Sequence, residues 1–231
     1  MISAETGELL SMKSALLGTM VLVAMVVTSA PALAQQPPYN GTVFTEPNIV
    51  TRNDPSTLRA VSFREMSWND DYSYDCDGNF IDKKYFLFDA FYTRGDSIMF
   101  FVDEGYGERE DARWWANELG HIVGQMPRFL RDGVVAMTLH PDGDNWCAGK
   151  GEMTLETGDF DSEADAGTLE ESMLHEVIHT SLDHRVLGGK AWKGAQRADG
   201  RSISTYGRDN PNSEDLAETF TVYYGLVRGR L

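Results

Sequence analysis

Apolar residues are spaced along this chain in three ways, and each spacing predicts a different element. Residues 15–27 are apolar almost without a break, too short a run to span a bilayer comfortably. Residues 85–93 and 97–103 are dense in aromatic and β-branched side chains and predict two strands, joined as a hairpin through Arg94-Gly95-Asp96. Weaker alternation predicts strands over residues 58–65, 133–140 and 151–157, the last two separated by the turn-rich Pro141-Asp142-Gly143-Asp144-Asn145. Helical spacing takes over in residues 108–121 and again after Gly167, where only helices and loops are predicted. Strands early and helices late make the expected fold α+β, a mostly antiparallel N-terminal sheet with helices and a helical C-terminal part. No internal repeat or low-complexity tract interrupts this order.

The first apolar run reads as an export signal. Lys13 precedes it and Ala32-Leu33-Ala34 follows with the small-x-small cleavage pattern, so residues 1–34 are expected to be removed and the mature chain to begin near Gln35. Met12 is an alternative start, because Glu5 and Glu8 are odd company for a signal. Residues 35–55 are rich in Pro, Asn and Thr, predicting an extended arm before a single domain over residues 56–231, a usual domain size. Export makes the chain secreted or periplasmic with no stable membrane span. Cys76 and Cys147 then become a candidate disulfide. The 36 acidic against 20 basic residues, a net charge of −16, argue against nucleic acid or an anionic membrane as partner. A solvated acidic surface is the plainest source of that charge, and a salty habitat or cationic substrates are the others.

The chemistry concentrates in His175-Glu176-Val177-Ile178-His179. Thr168 and Glu171 have capping-box spacing, predicting a helix from there through Asp183. On it His175 and His179 are one turn apart and can grip one ion. Leu169, Met173, Leu174, Val177 and Ile178 form the apolar face, leaving the two histidines toward a cleft. In H-E-x-x-H the histidines hold Zn²⁺ and the Glu takes a proton from the water that attacks a carbonyl. An ordinary polar helix face would carry the same letters, so a third ligand matters. His184 is the nearest candidate, but a continuing helix turns it roughly 160° from the pair. Glu214 is the better one. A last helix, over residues 213–228, is apolar around most of its circumference, and Glu214 and Glu218 fall in its narrow polar stripe. Buried carboxylates need a cation or donors. Zinc for Glu214 and a ligand-histidine N–H for Glu218 would serve.

The order His175-Glu176-x-x-His179, then Ser204-Thr205-Tyr206-Gly207-Arg208, then Glu214-Asp215-Leu216-Ala217-Glu218-Thr219-Phe220 resembles the zincin-like catalytic domain of gluzincin peptidases of the anthrax lethal-factor type. That family's pattern is H-E-x-x-H, S/T-Y-G-R and E-x-x-A-E-x-F. The resemblance covers about the last 65 residues, with a slightly longer interval between Tyr206 and Glu214 and no similarity upstream. It implies one zinc held by His175, His179 and Glu214, Glu176 as general base, and Tyr206 as donor to the developing oxyanion. A peptide or protein substrate follows, cleaved internally. Residues 151–157 are expected to supply an edge strand on which an extended peptide lies.

Asp75-Cys76-Asp77-Gly78-Asn79 with Asp82 has oxygens at alternate positions, as in a calcium loop. Phe80 and Phe86 stand where that pattern wants Gly and Glu, so a tight Asp-Gly turn held by Cys76 is preferred over Ca²⁺. Two other functions remain open at this stage. A noncatalytic zinc-binding exported protein would close the metal shell with His184 or His140. An exported calcium-dependent binding module would make H-E-x-x-H accidental.

Overall fold

The computed structural model describes residues 36–68, 74–158 and 160–231. The expected signal, residues 1–34, lies outside them. Strand β1 (Leu58–Trp68) pairs antiparallel with β2 (Lys84–Tyr92), which pairs antiparallel with β3 (Ser97–Asp103). The β2–β3 turn has Arg94 and Gly95 at φ of 82° and 88°. These left-handed values match the twist of a tight hairpin. Helix α1 (Arg109–Gln125) and the short α2 (Arg128–Arg131) then carry the chain across to β4 (Ala136–His140), parallel to β3. A parallel pair needs such a crossover. A hairpin of β5 (Trp146–Gly149) and β6 (Glu152–Glu156) completes a six-stranded sheet of order β1-β2-β3-β4-β6-β5.

Helices follow: α3 (Phe160–Ala166), α4 (Leu169–Ile178), a π-helical turn (His179–Asp183), α5 (His184–Val186), α6 (Lys190–Asp199), α7 (Thr205–Asp209) and α8 (Asp215–Val227). The fold is therefore α+β, as the sequence predicts. Ala116, Leu119 and Val123 of α1 meet Phe88 and Phe100 of the sheet and Met173, Leu174 and Val177 of α4 in one buried core. On the other side of the sheet Tyr85, Leu87, Phe101 and Ala136 form a smaller cluster. β2 thus buries both of its faces, which is why it reads as a continuous apolar run.

Three expectations need correction. Residues 151–157 do contain a strand, but β6 is interior; the edge on this side is β5, residues for which the sequence predicts no element. The Thr168/Glu171 capping box does not form. Thr168 makes no side-chain cap bond, its hydroxyl donating to Glu163 O at 3.4 Å, and the buried Glu171 carboxylate accepts from the Val50 amide at 2.9 Å rather than from the Thr168 amide. Third, α4 is more deeply buried than its pattern predicts, only Glu176 of its ten residues not being buried, although His175 and Glu176 do line a cleft as expected.

Cys76 and Cys147 form a disulfide with Cα atoms 5.6 Å apart, tying the loop before β2 to the edge strand. A disulfide is compatible with an extracellular compartment. Among the described residues no helix is long and apolar enough to cross a membrane.

Candidate metal centre

Helix α4 delivers His175 and Glu176, the π turn that continues it delivers His179, and α8 delivers Glu214 at its N-cap and Glu218 one turn later. The ligand atoms converge. His175 Nε2 and His179 Nε2 are 3.0 Å apart, and Glu214 Oε2 lies 3.2 Å from the first and 3.1 Å from the second. Tetrahedral coordination with bonds of 2.0–2.1 Å separates ligand atoms by about 3.3 Å, close to this triangle.

The far side of each ring decides what the triangle can hold. His179 Nδ1 is 2.7 Å from Asp183 Oδ2, and His175 Nδ1 is 3.5 Å from Glu218 Oε1, a charge contact too poorly aligned to be a full hydrogen bond. A carboxylate beside each Nδ1 favours the proton there, leaving both Nε2 lone pairs aimed at Glu214. Three acceptors facing one point without a donor suit a cation. Among the described residues, these three form the one His/Cys/Asp/Glu group whose ligand atoms lie mutually within 4.8 Å.

A proton can take the cation's place between a ring Nε2 and Glu214, and metal binding would displace it. Burial works against the charged form of Glu214, but the hydrogen bonds from His175 and His179 outweigh it and hold the carboxyl far below its usual range. Burial opposes charge on His179 too, yet Asp183 and Glu214 push it up to about 10. Glu176 differs: its side chain accepts no hydrogen bond among the described residues, and burial raises it to about 7 despite the neighbouring imidazoles. A carboxyl lifted toward neutrality and lining the cleft is suited to take and return a proton.

Local geometry explains how α4 meets its neighbours. The π turn after His179 swings Asp183 back under the ring, and it also frees backbone groups that other segments satisfy. Gly151 N donates to Thr180 O at 3.3 Å, and in the other direction the Ser181 hydroxyl of the turn donates to Leu130 O. Gly133 is required beside this turn, since a Cβ there would lie 2.8 Å from Ser181 Cα.

The cleft, about 420 Å³, is lined by His175, Glu176, His179, Glu214, Tyr206 and edge-strand residues Trp146, Cys147 and Ala148. Tyr206 is 38% exposed and reaches it from α7. Burial, Glu214 and Glu176 raise its phenol to about 12, so it stays a donor. His184, by contrast, is exposed against Arg185, and His140 is buried against Asp103 at 3.1 Å. Neither joins the group. In the Asp75 loop both carboxylate oxygens of Asp75 are engaged by Asn79, which fits the tight turn.

Two contributions escape the sequence reading. Asp183 stands four residues beyond His179, a spacing that a search for outer partners of the ligands would have found. The other is the segment around Thr42. Glu218, fully buried, accepts from Val43 N at 2.9 Å and from the Thr42 hydroxyl, and the Phe44 ring packs edge-on against His175 with centroids 5.1 Å apart. The same segment is held by α7: Tyr206 N donates to Gly41 O at 2.8 Å and Thr205 N to Tyr39 O at 3.0 Å. No local pattern announces these contacts. Compared with protein-family models, curated proteins and solved structures, the chain matches none.

Proposed function

We propose that this chain is an exported zinc-dependent endopeptidase of the gluzincin kind, with the zincin-like arrangement that its three motifs resemble. The observation that carries the reading is the convergence of His175 Nε2, His179 Nε2 and Glu214 Oε2, with the unbonded Glu176 carboxylate on the same cleft. Three protein ligands are what a catalytic zinc takes, whereas a structural zinc takes four. His184 and His140, the candidates for a fourth, stand apart. When bound, zinc would polarise a water molecule and the substrate carbonyl.

The chain's own groups do the rest. Glu176 takes the proton of the attacking water and returns it to the leaving amine. Tyr206 donates a hydrogen bond to the carbonyl oxygen as charge builds on it. The free edge of β5 offers backbone groups to an extended peptide, which fixes the scissile carbonyl over the cleft by strand addition. Asp183 and Glu218 hold the two imidazoles in the tautomer that leaves Nε2 available.

The test is zinc content and cleavage of an unstructured protein, with and without a chelator. The mature chain is expected to carry one zinc and to cleave, the chelator to abolish both, and Glu176→Gln to keep the zinc while losing nearly all cleavage. Tyr206→Phe should lower turnover by roughly a hundredfold at unchanged zinc content. A zinc-loaded parent that leaves every unstructured substrate intact would sink the proposal.

A further inference from the structure

The chain has nearly two acidic residues for each basic one, yet one stretch reverses this. Residues 185–208 carry six cations and a single acid, Asp199, leaving 14 basic against 35 acidic residues in the rest. Four of the cations line one cavity of about 450 Å³, Arg208 and a group of three, Lys193, Arg197 and Arg201. Lys193 and Arg197 sit one turn apart on α6 and so face the same way. Gly200 ends that helix in the left-handed conformation, φ 66°, and brings Arg201 to the same cavity. Among the described residues none of the three is in an ion pair or side-chain hydrogen bond, although carboxylates abound.

The two other charged residues of the lining are already engaged. Arg208 bonds Asp209 at 2.8 Å. Asp215 is buried, with one oxygen accepting from Gln196 Nε2 at 2.9 Å. Gln196 also donates to Pro211 O at 2.9 Å, so it anchors the wall that the basic cavity shares with the metal cleft. The wall is residues 206–215. Tyr206, Ser213 and Glu214 face the cleft, while Arg208, Pro211 and Asp215 face the cations.

We infer that this cavity is a subsite for carboxylate side chains, binding an Asp- or Glu-rich segment of the peptide substrate next to the bond to be cut. As a substrate subsite it rests on the peptidase reading; as an acidic-peptide site it does not. Unpaired guanidinium groups present forks that match carboxylates. The net charge of −16 disfavours the same segment elsewhere on the chain and so directs it to these cations. An extended polyanion is the poorer fit. A nucleic acid or an anionic bilayer would press against the acid-rich remainder of the chain, and attraction from three cations fades within about 8 Å at physiological salt. A few acidic side chains fit 450 Å³.

The test measures binding and cleavage separately, on the full mature chain loaded with zinc. Binding is read by fluorescence anisotropy on Glu176→Gln, using a labelled decapeptide rich in Asp and Glu and its Asn/Gln counterpart. The acidic peptide is expected to bind at least tenfold tighter, with a difference that shrinks as salt rises. Lys193→Ala/Arg197→Ala/Arg201→Ala in that background should erase the preference. With Glu176 intact, the same triple change should raise KM for the acidic peptide at least fivefold and leave turnover of the neutral one unchanged. Equal binding of the two peptides, or a preference that survives the triple change, overturns the inference. So does co-sedimentation with phosphatidylserine vesicles that depends on the three cations, or loss of the peptide preference in millimolar inorganic phosphate at constant ionic strength. If the acidic peptide binds through the three cations but no peptide is ever cleaved, the acidic-peptide site stands and the peptidase reading falls.

Discussion

His179 Nδ1 and Asp183 Oδ2 lie 2.7 Å apart across a π-helical turn that begins at the histidine itself. In a regular α-helix the two would also share a face, but the wider turn brings the carboxylate beside the ring. Asp183 thereby fixes the Nδ1 proton and makes the Nε2 atom a better ligand. Asp183→Ala is expected to weaken zinc binding by roughly ten- to a hundredfold, the usual cost of losing such a partner. Competition against a chromophoric chelator measures it, with the exposed Asp199→Ala as control. Affinity within twofold of the parent would remove Asp183 from the site.

The segment around Thr42 is expected to support the metal site from outside it. Thr42 and Val43 supply donors to the buried Glu218, and Phe44 covers His175. Starting the mature chain at Pro47 leaves Glu218 a buried carboxylate without those donors, a change that costs on the order of 1–3 kcal/mol. Such a chain should therefore melt at lower temperature and retain less zinc after dialysis against a mild chelator. Adding the missing segment back as a peptide should recover part of the zinc. If the shortened chain holds zinc and melts as the parent does, the segment is passive.

How much of this was readable from residues alone follows from how local each feature is. The His175–His179 pair and the strands around Arg94-Gly95 were legible because spacing within one element carries them. Glu214 and Glu218 were legible as carboxylates on an otherwise apolar helix. β5 was not, since four residues between turns become a strand only by pairing with β6. The Thr168/Glu171 spacing misled for a similar reason: Val50, 121 residues away, claims the Glu171 carboxylate that a capping box needs. Thr42 and Glu218 are 176 residues apart, beyond any periodicity.

That displaced carboxylate has a consequence for stability. Burial raises Glu171 from 4.5 to about 7 in the folded chain, although the Val50 amide bonds one oxygen. A group with a raised folded-state value keeps its proton folded where the unfolded chain has lost it. The folded chain therefore binds more protons between about 4.5 and 7, and this group makes stability fall as pH rises through that window. Above it the deficit is on the order of 3 kcal/mol. Glu171→Gln, neutral at every pH, should be near parental at pH 4.5 and more stable than the parent at pH 8. Urea unfolding at the two values decides it. A parent–variant difference that does not change with pH would mean Glu171 ionises freely in the fold.

The last prediction separates ligand from bystander, because Glu214 and His184 make opposite demands on the metal. Glu214 Oε2 sits within 3.2 Å of both ligand nitrogens, while His184 is exposed beside Arg185. Glu214→Gln keeps the size of the side chain but removes the anionic oxygen, so zinc retention after chelator dialysis should fall and hydrolysis with it. His184→Ala should change both by less than about twofold, as an exposed surface substitution usually does. Comparison with Glu176→Gln completes the argument, since a lost base leaves zinc in place and a lost ligand does not. Should His184→Ala strip the metal while Glu214→Gln retains it, the converging triangle is not the zinc site. The resemblance to lethal-factor-type peptidases then fails at its third motif.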